Sequence, residues 1–265
     1  MEILDKLSDI GKYRTTNEDV VEYCNHSVSK DIKLLIVCDG MGGKDMGEVA
    51  ANYTMQELIK WFNKADPKAI SNYRKCISLV KTQIKKINKH LIDKYGVNKL
   101  GTTLTMAIIN KKKTIVFNCG DSRCYSYKDN LIQITEDDSD VWDYYKYGGV
   151  DKEDLRYFAS SNIINACIGI DNKLCNISYY VIDNNSYDLL LLLTDGITDL
   201  ITDKKLLQII KKTDCNDLIK ELVNEAVNKK QTLKIPSYLE KKYKGRYVVP
   251  VTGRDNASGV IYAKK

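Results

Sequence analysis

Histidine is almost missing from this chain: 265 residues include only His26 and His90, and neither has a partner at ligand spacing. That argues against an imidazole-based catalytic triad. Any metal here must be held by oxygen, which points to hard cations such as magnesium or manganese. Only 3 prolines occur, and 43% of residues are hydrophobic against 29% charged, the profile of an ordinary soluble globular protein and not a disordered one. No Cys-x-x-Cys pair is found among the 8 cysteines. Cys38, Cys119 and Cys167 sit in apolar segments, where a thiol serves as a small hydrophobe and not as a disulfide or zinc ligand. Long apolar runs are also lacking. The stretch Leu189–Leu193 is far too short to cross a bilayer, and Glu2 and Asp5 interrupt any apolar core that a signal peptide would need. The expectation is a cytoplasmic protein with no membrane partner.

The net charge of +6 is spread over lysine clusters at Lys85-Lys86, Lys111 to Lys113, Lys211-Lys212, Lys229-Lys230 and Lys241-Lys242. These read as solvated faces. With no interleaved aromatics they do not predict a nucleic-acid interface, although such a surface attracts phosphorylated or acidic partners.

What is present begins with Leu34-Leu35-Ile36-Val37-Cys38-Asp39-Gly40-Met41-Gly42-Gly43. A buried strand ends in one carboxylate, and glycines follow that let the backbone crowd whatever the carboxylate holds. An Asp-Gly pair at a strand end is ordinarily only a turn, but the device recurs. Gly120-Asp121 follows a strand pattern, Leu189 to Leu193 runs into Thr194-Asp195-Gly196, and Gly253-Arg254-Asp255-Asn256 leads into a closing strand over residues 257–263. Near the start, Arg14, Asn17, Glu18 and Asp19 precede a strand at residues 20–24. There a guanidinium fork suited to phosphate stands beside two oxygen ligands.

Between these points the periodicity predicts a helix over residues 47–64, with Val49, Ala50, Tyr53, Leu58 and Trp61 inward. It predicts a long amphipathic helix over 66–95 with Ile70, Ile77, Val80, Ile84, Ile87 and Leu91 as its stripe, stopped by Gly96. A β-meander over 104–135 comes next. An excursion over 136–174 carries short helices and a strand at 163–168. Strands at 175–182 and 189–193 and helices at 203–212 and 216–230 complete the pattern, while 231–252 reads as an extended loop. No repeat or linker appears, so residues 1–265 are expected to form a single domain.

If antiparallel strands bring the ends together, Asp39, Asp121, Asp195, Asp255, Asp19 and Glu18 converge. Such a cluster repels itself unless cations bind it. Two divalent ions about 3.5–4 Å apart, bridged by a carboxylate, are the device that phosphate-ester hydrolases use to make and aim hydroxide.

In the order of these motifs the chain resembles the protein phosphatase 2C family of metal-dependent serine/threonine phosphatases, in its compact bacterial form. The resemblance rests on Arg14-x-x-Asn17-Glu18-Asp19, Asp39-Gly40-Met41-Gly42-Gly43 with Gly47-Glu48, Gly101-Thr102-Thr103, Gly120-Asp121-Ser122-Arg123, Asp195-Gly196 and Asp255-Asn256, and spans nearly the whole chain. It implies an α+β fold, a four-layer αββα sandwich of two antiparallel sheets flanked by helix pairs. It also implies two Mn2+ or Mg2+ ions with a possible third. By that resemblance Asp39 bridges both metals, the Gly40 carbonyl joins the second, and Asp195 and Asp255 serve the first. Glu18 and Asp19 hold the second largely through water, Asp121 helps form the third site with Asp195, and Arg14 binds phosphate. The implied reaction is in-line attack of a metal-bridging hydroxide on phosphoserine or phosphothreonine of proteins, opposing a cytoplasmic Ser/Thr kinase, with the enzyme a monomer.

Three departures stand out. Met41 occupies a position where many eukaryotic members carry a histidine. Asn165-Ala166 replaces the usual Thr-Arg in the flap-like excursion. The segment 231–252 is longer than the usual connection, and a tolerated loop is the expectation for it, with a docking element as the other reading. Other functions compatible with the resemblance are a pseudophosphatase binding module and a phosphatase acting on an anti-sigma-factor antagonist.

Overall fold

The apolar run around Val37 forms β3 (Lys33–Gly42), and its side chains divide between two environments. Leu34, Ile36 and Cys38 pack into a core shared with helices, whereas Leu35 and Val37 pack into a second core between two sheets. Such a strand is apolar on both faces and therefore reads as an unbroken run. β10 (Leu189–Leu193) repeats the pattern, with Leu189, Leu191 and Leu193 toward helices and Leu190 and Leu192 toward the seam between the sheets.

The computed structural model describes residues 2–42, 46–173, 175–228, 232–244 and 248–264. Gly43, Leu174, Lys229, Lys230 and Gln231 of the sequence reading lie outside the described residues. One sheet has the order β2 (Asp19–Asn25), β3, β5 (Leu104–Ile109), β6 (Lys113–Cys119), β9 (Ser178–Asp183), and β4 (Leu100–Thr102) pairs with the tip of β3. The other has the order β1 (Glu2–Asp9), β13 (Ala257–Lys264), β10, β7 (Arg123–Tyr127), β8 (Leu131–Gln133), and both sheets are antiparallel throughout. Helices α1 (Met46–Lys64) and α3 (Tyr73–Tyr95) cover the first sheet. The second is covered by α5 (Asp195–Thr198), α6 (Asp203–Lys212) and α7 (Leu218–Asn228). This is the expected αββα sandwich.

Several expectations need correction. The helix over 66–95 is broken into α2 (Pro67–Ser71) and α3 by Asn72. The Asn72 N–H closes the first helix on the Lys68 carbonyl, while its side chain accepts from the Lys75 N–H and starts the second. In α1 the buried face carries Ala51, Thr54, Met55 and Phe62, and Val49 points outward. The β-meander is not one sheet: β5 and β6 form a hairpin in the first, and the chain crosses at Gly120-Asp121-Ser122 to build β7 and β8 in the second. Residues 163–168 make only isolated bridges, Ser139 to Ile164 and Thr102 to Ile168. In the excursion lie α4 (Asp140–Lys146) and a 3-10 turn at Lys152–Tyr157. The extended loop contains β11 (Thr232–Leu233), α8 (Ser237–Lys242) and β12 (Val251–Thr252).

Candidate metal centre

Strand parity places the carboxylates. Asp39 follows Leu35 and Val37 on the seam side of β3, and Asp19 precedes Val21 on the seam side of β2. The two are directly opposite in the antiparallel register, so the apolar seam becomes acidic at one end. Across the seam, β10 delivers Thr194, whose hydroxyl donates to Asp19 Oδ2 at 2.9 Å, and then Asp195 at the start of α5. Asp121 lies on the crossing between sheets, and Asp255 stands just before β13.

Close backbone approach holds these tips together. The Gly40 N–H donates to the Glu18 carbonyl at 3.1 Å, and the Gly47 N–H donates to Glu18 Oε1 at 3.1 Å. A Cβ on Gly40 would run into the Gly47 carbonyl, and one on Gly196 into the Asn256 carbonyl. Asn256 is the hub: its side-chain oxygen accepts from the Glu18 N–H at 2.9 Å and its amide donates to the Ile10 carbonyl at 2.9 Å. The Asp39 N–H donates to Thr103 Oγ1 at 3.0 Å, while the Asp39 carbonyl accepts from Thr103 N–H and Thr102 Oγ1.

The electrostatics are those of crowded acids. Burial, then repulsion from Asp19, Asp121 and Asp255, pushes the Asp39 carboxyl well above the usual range, and a hydrogen bond with Asp195 partly offsets this. Burial followed by repulsion from Asp39, Asp121 and Asp255 does the same to Asp195. Asp19 is raised to about 7, chiefly by burial. Asp121 reaches about 7 by burial and the charges of Asp137 and Asp199. Asp195 Oδ1 is shut away from solvent with no hydrogen-bond partner. A buried acceptor of this kind is costly unless something electropositive meets it. Among the described residues no three His, Cys, Asp or Glu side chains are already drawn into one coordination set. Like charges spread apart, and Asp255 turns to Arg14, whose Nη2 lies 2.8 Å from Asp255 Oδ2 and Nη1 3.8 Å from Glu18 Oε2. An all-oxygen donor set with an orphaned acceptor fits hard divalent cations.

A cleft of about 520 Å³ opens over these groups, lined by Arg14, Asp195, Asp199 and Asp255 and walled by the flap and by residues 249–254. A small adjoining cavity reaches Asp121, Asp137 and Asp199. The structure thus brings Arg14, Glu18, Asp19, Asp39, Gly40, Asp121, Asp195 and Asp255 to one end of the seam. Sequence reasoning missed four neighbours. Asp199 lies one helical turn after Asp195, its N–H bonded to the Asp195 carbonyl. Arg123 is clamped on Asp137, with Nη2 to Oδ2 at 2.6 Å. Arg156 donates through Nη1 to the Asp199 carbonyl at 2.6 Å, and its Nε has no partner. Only Arg123, inside the Gly120-Asp121-Ser122-Arg123 motif, left a local signal.

An antiparallel sandwich with an acidic seam end beside a guanidinium sets oxygen donors that suit hard cations next to a fork that suits a phosphoryl group. The family model of protein phosphatase 2C matches residues 14–231, and the chain belongs to that family of protein phosphatases. It is similar to the serine/threonine phosphatase stp of Listeria welshimeri, 29% identical over 209 residues that cover 77% of this chain and 81% of that one. The crystal structure of serine/threonine phosphatase Stp1 from Staphylococcus aureus superposes with a TM-score of 0.80 at 26% identity, covering 100% of this chain and 96% of that one. The catalytic domain of PstP, solved in complex with 2 manganese ions, shares the fold with a TM-score of 0.74 at 22% identity, covering 99% of this chain and 97% of that one.

Proposed function

We propose that this chain is a metal-dependent phosphatase of phosphoserine and phosphothreonine in cytoplasmic proteins, working as a single domain and a monomer and opposing a Ser/Thr kinase. The observation that carries this reading is the acidic end of the intersheet seam, where Asp195 Oδ1 lies buried without a partner beside Asp39. Asp39, the Gly40 carbonyl, Asp195 and Asp255 would hold two Mn2+ or Mg2+ ions together with Glu18 and Asp19, and Asp121 would serve a third. Bound there, such ions supply an activated water at neutral pH and neutralise charge on the phosphoryl group. The chain's own residues bind and orient. Arg14 is half exposed, and its pairing with Asp255 is of the weak, solvent-screened kind. Its planar fork is therefore available to two phosphoryl oxygens. Thr194 and Asn256 hold Asp19 and Glu18 in place. Met41 brings no proton donor to the leaving group.

Hydrolysis of p-nitrophenyl phosphate with and without Mn2+, followed by matched phosphothreonine and phosphotyrosine peptides, tests the reading. Manganese-dependent turnover with preference for phosphothreonine is the expected result. Absence of metal-dependent turnover, or preference for phosphotyrosine, would rule the reading out.

A further inference from the structure

The segment expected to be a tolerated loop is built into the flap. Val141, Trp142, Val150, Leu155 and Phe158 of the excursion form a satellite core with Leu239 and Tyr243 of the long segment, separate from the three cores of the sandwich. Its polar centre is Asp154, which is buried and accepts from Tyr238 Oη at 2.6 Å, Tyr243 Oη at 2.7 Å and Lys242 Nζ at 2.9 Å. Backbone pairing extends the junction, with the Val249 N–H on the Tyr157 carbonyl at 2.7 Å and a bridge from Phe158 to Val248. Two segments so joined behave as one wall.

That wall bounds the cleft over the acidic centre. Its charge has one sign away from the floor. Arg254 is exposed and stacks over the Tyr13 ring at 5.6 Å, and it makes no carboxylate pair among the described residues. Arg14, half exposed, and Arg156, whose Nε is shut away from solvent, also line the cleft. The cleft's acids, Asp195, Asp199 and Asp255, all belong to its floor or to the Arg14 pair. A cleft with arginines on its rim and acids committed to cations below complements an anionic chain segment beyond the phosphate itself.

We propose that the cleft between the flap and residues 248–254 docks the peptide on either side of the phosphorylated residue and selects acidic side chains there, with Arg254 as the specificity-determining residue. This rests on the phosphatase reading above and adds the substrate class to it. An arginine fork recognises a carboxylate bidentately, which lysine does not, and a basic rim disfavours Lys-rich peptides by like-charge repulsion.

The test uses the full chain with Mn2+ and two phosphothreonine peptides that differ only in Glu against Lys on both sides of the phosphorylated residue. The Glu peptide is expected to be favoured in kcat/KM by about three- to tenfold, the size of one solvent-exposed arginine–carboxylate contact. Raising the salt should shrink that ratio. In Arg254→Glu the ratio should fall to one or invert, and since the residue is exposed the substitution is compatible with folding. Arg254→Lys should keep only part of the preference. A ratio near one in the parent protein, or one unchanged in Arg254→Glu, overturns the proposal while turnover keeps the phosphatase reading standing. If neither peptide nor p-nitrophenyl phosphate is hydrolysed with Mn2+, both fall together.

Discussion

Asp39 occupies the one position of β3 where the side-chain alternation still points into the seam but the strand has run out of apolar partners. Burial and the repulsion of Asp19, Asp121 and Asp255, which arrive from three other segments, raise its affinity for a proton or for a cation. Asp39→Asn removes charge without volume, so it should leave the far-UV spectrum unchanged and lower kcat at least about a hundredfold. A variant with near-parent turnover would remove Asp39 from the centre. Gly196 has a steric role. Any Cβ there collides with the Asn256 carbonyl, which belongs to the backbone and cannot swing aside. Gly196→Ala should therefore destabilise the fold by about 1–3 kcal/mol, measured by urea denaturation. It should also disturb Glu18 through Asn256. The acids of the centre were legible because they sit at the ends of apolar or strand-like runs, and two of them, Asp39 and Asp195, are followed by glycine. Arg156 and Asp137 were not, because the folding of the flap over the seam places them there, a contact between segments far apart in sequence. Nor was Asp199, because only the helical turn after Asp195 brings it back beside that residue.

At the scale of elements, strands buried on both faces announced themselves, as β3 and β10 did. β1 did not, because Glu2, Asp5, Lys6 and Asp9 interrupt it and it lies at a sheet edge with most residues only half buried. The change of sheet at Gly120-Asp121-Ser122 was invisible for another reason: a short turn between two strand patterns looks the same whether the second strand joins its predecessor or the opposite layer. Thr103 Oγ1 to Ser122 Oγ at 3.1 Å and Thr105 Oγ1 to the Ser122 carbonyl at 2.9 Å fix this crossing, contacts that only the packed sheets supply. The long segment after α7 was read as irregular because its elements are short and gain their burial from the flap and not from an amphipathic face of their own. Asp154 is the point at which that junction is most vulnerable. Asp154→Asn removes the charge that meets the buried Tyr243 hydroxyl and turns one accepting oxygen into a donor, at about 1–3 kcal/mol. The loss should be local. Amide exchange in residues 150–158 and 237–243 should accelerate while β3, β5 and β13 keep their protection, and a uniform rise across the sheets would show that the junction is not a separate unit.

For the molecule as a whole, the acidic end sets how stability follows pH. Asp19 and Asp121 are pushed up to about 7 in the folded chain by burial, against 3.8 for an ordinary aspartate. Between those limits the folded state holds protons that the unfolded state has released, so stability falls as pH rises through this window. Carboxylates with lowered values, such as Asp203 and Asp154, act only below it. Without divalent ions the melting temperature should therefore drop from pH 5 to pH 7, and millimolar Mn2+ should abolish the drop by binding the ionised carboxylates of the folded state alone. A metal-free melting temperature that climbs over that range would contradict the crowding of acids described for the centre. Among the described residues no helix is long and apolar enough to cross a membrane.

The position of β13 carries one more consequence. Although late in the chain, it is an inner strand, flanked by β1 from the very beginning and by β10. During synthesis the second layer stays split until this strand emerges, and with it come Asp255 and Asn256. A nascent polypeptide thus cannot close the acidic end of the seam before residues 255–264 have been made.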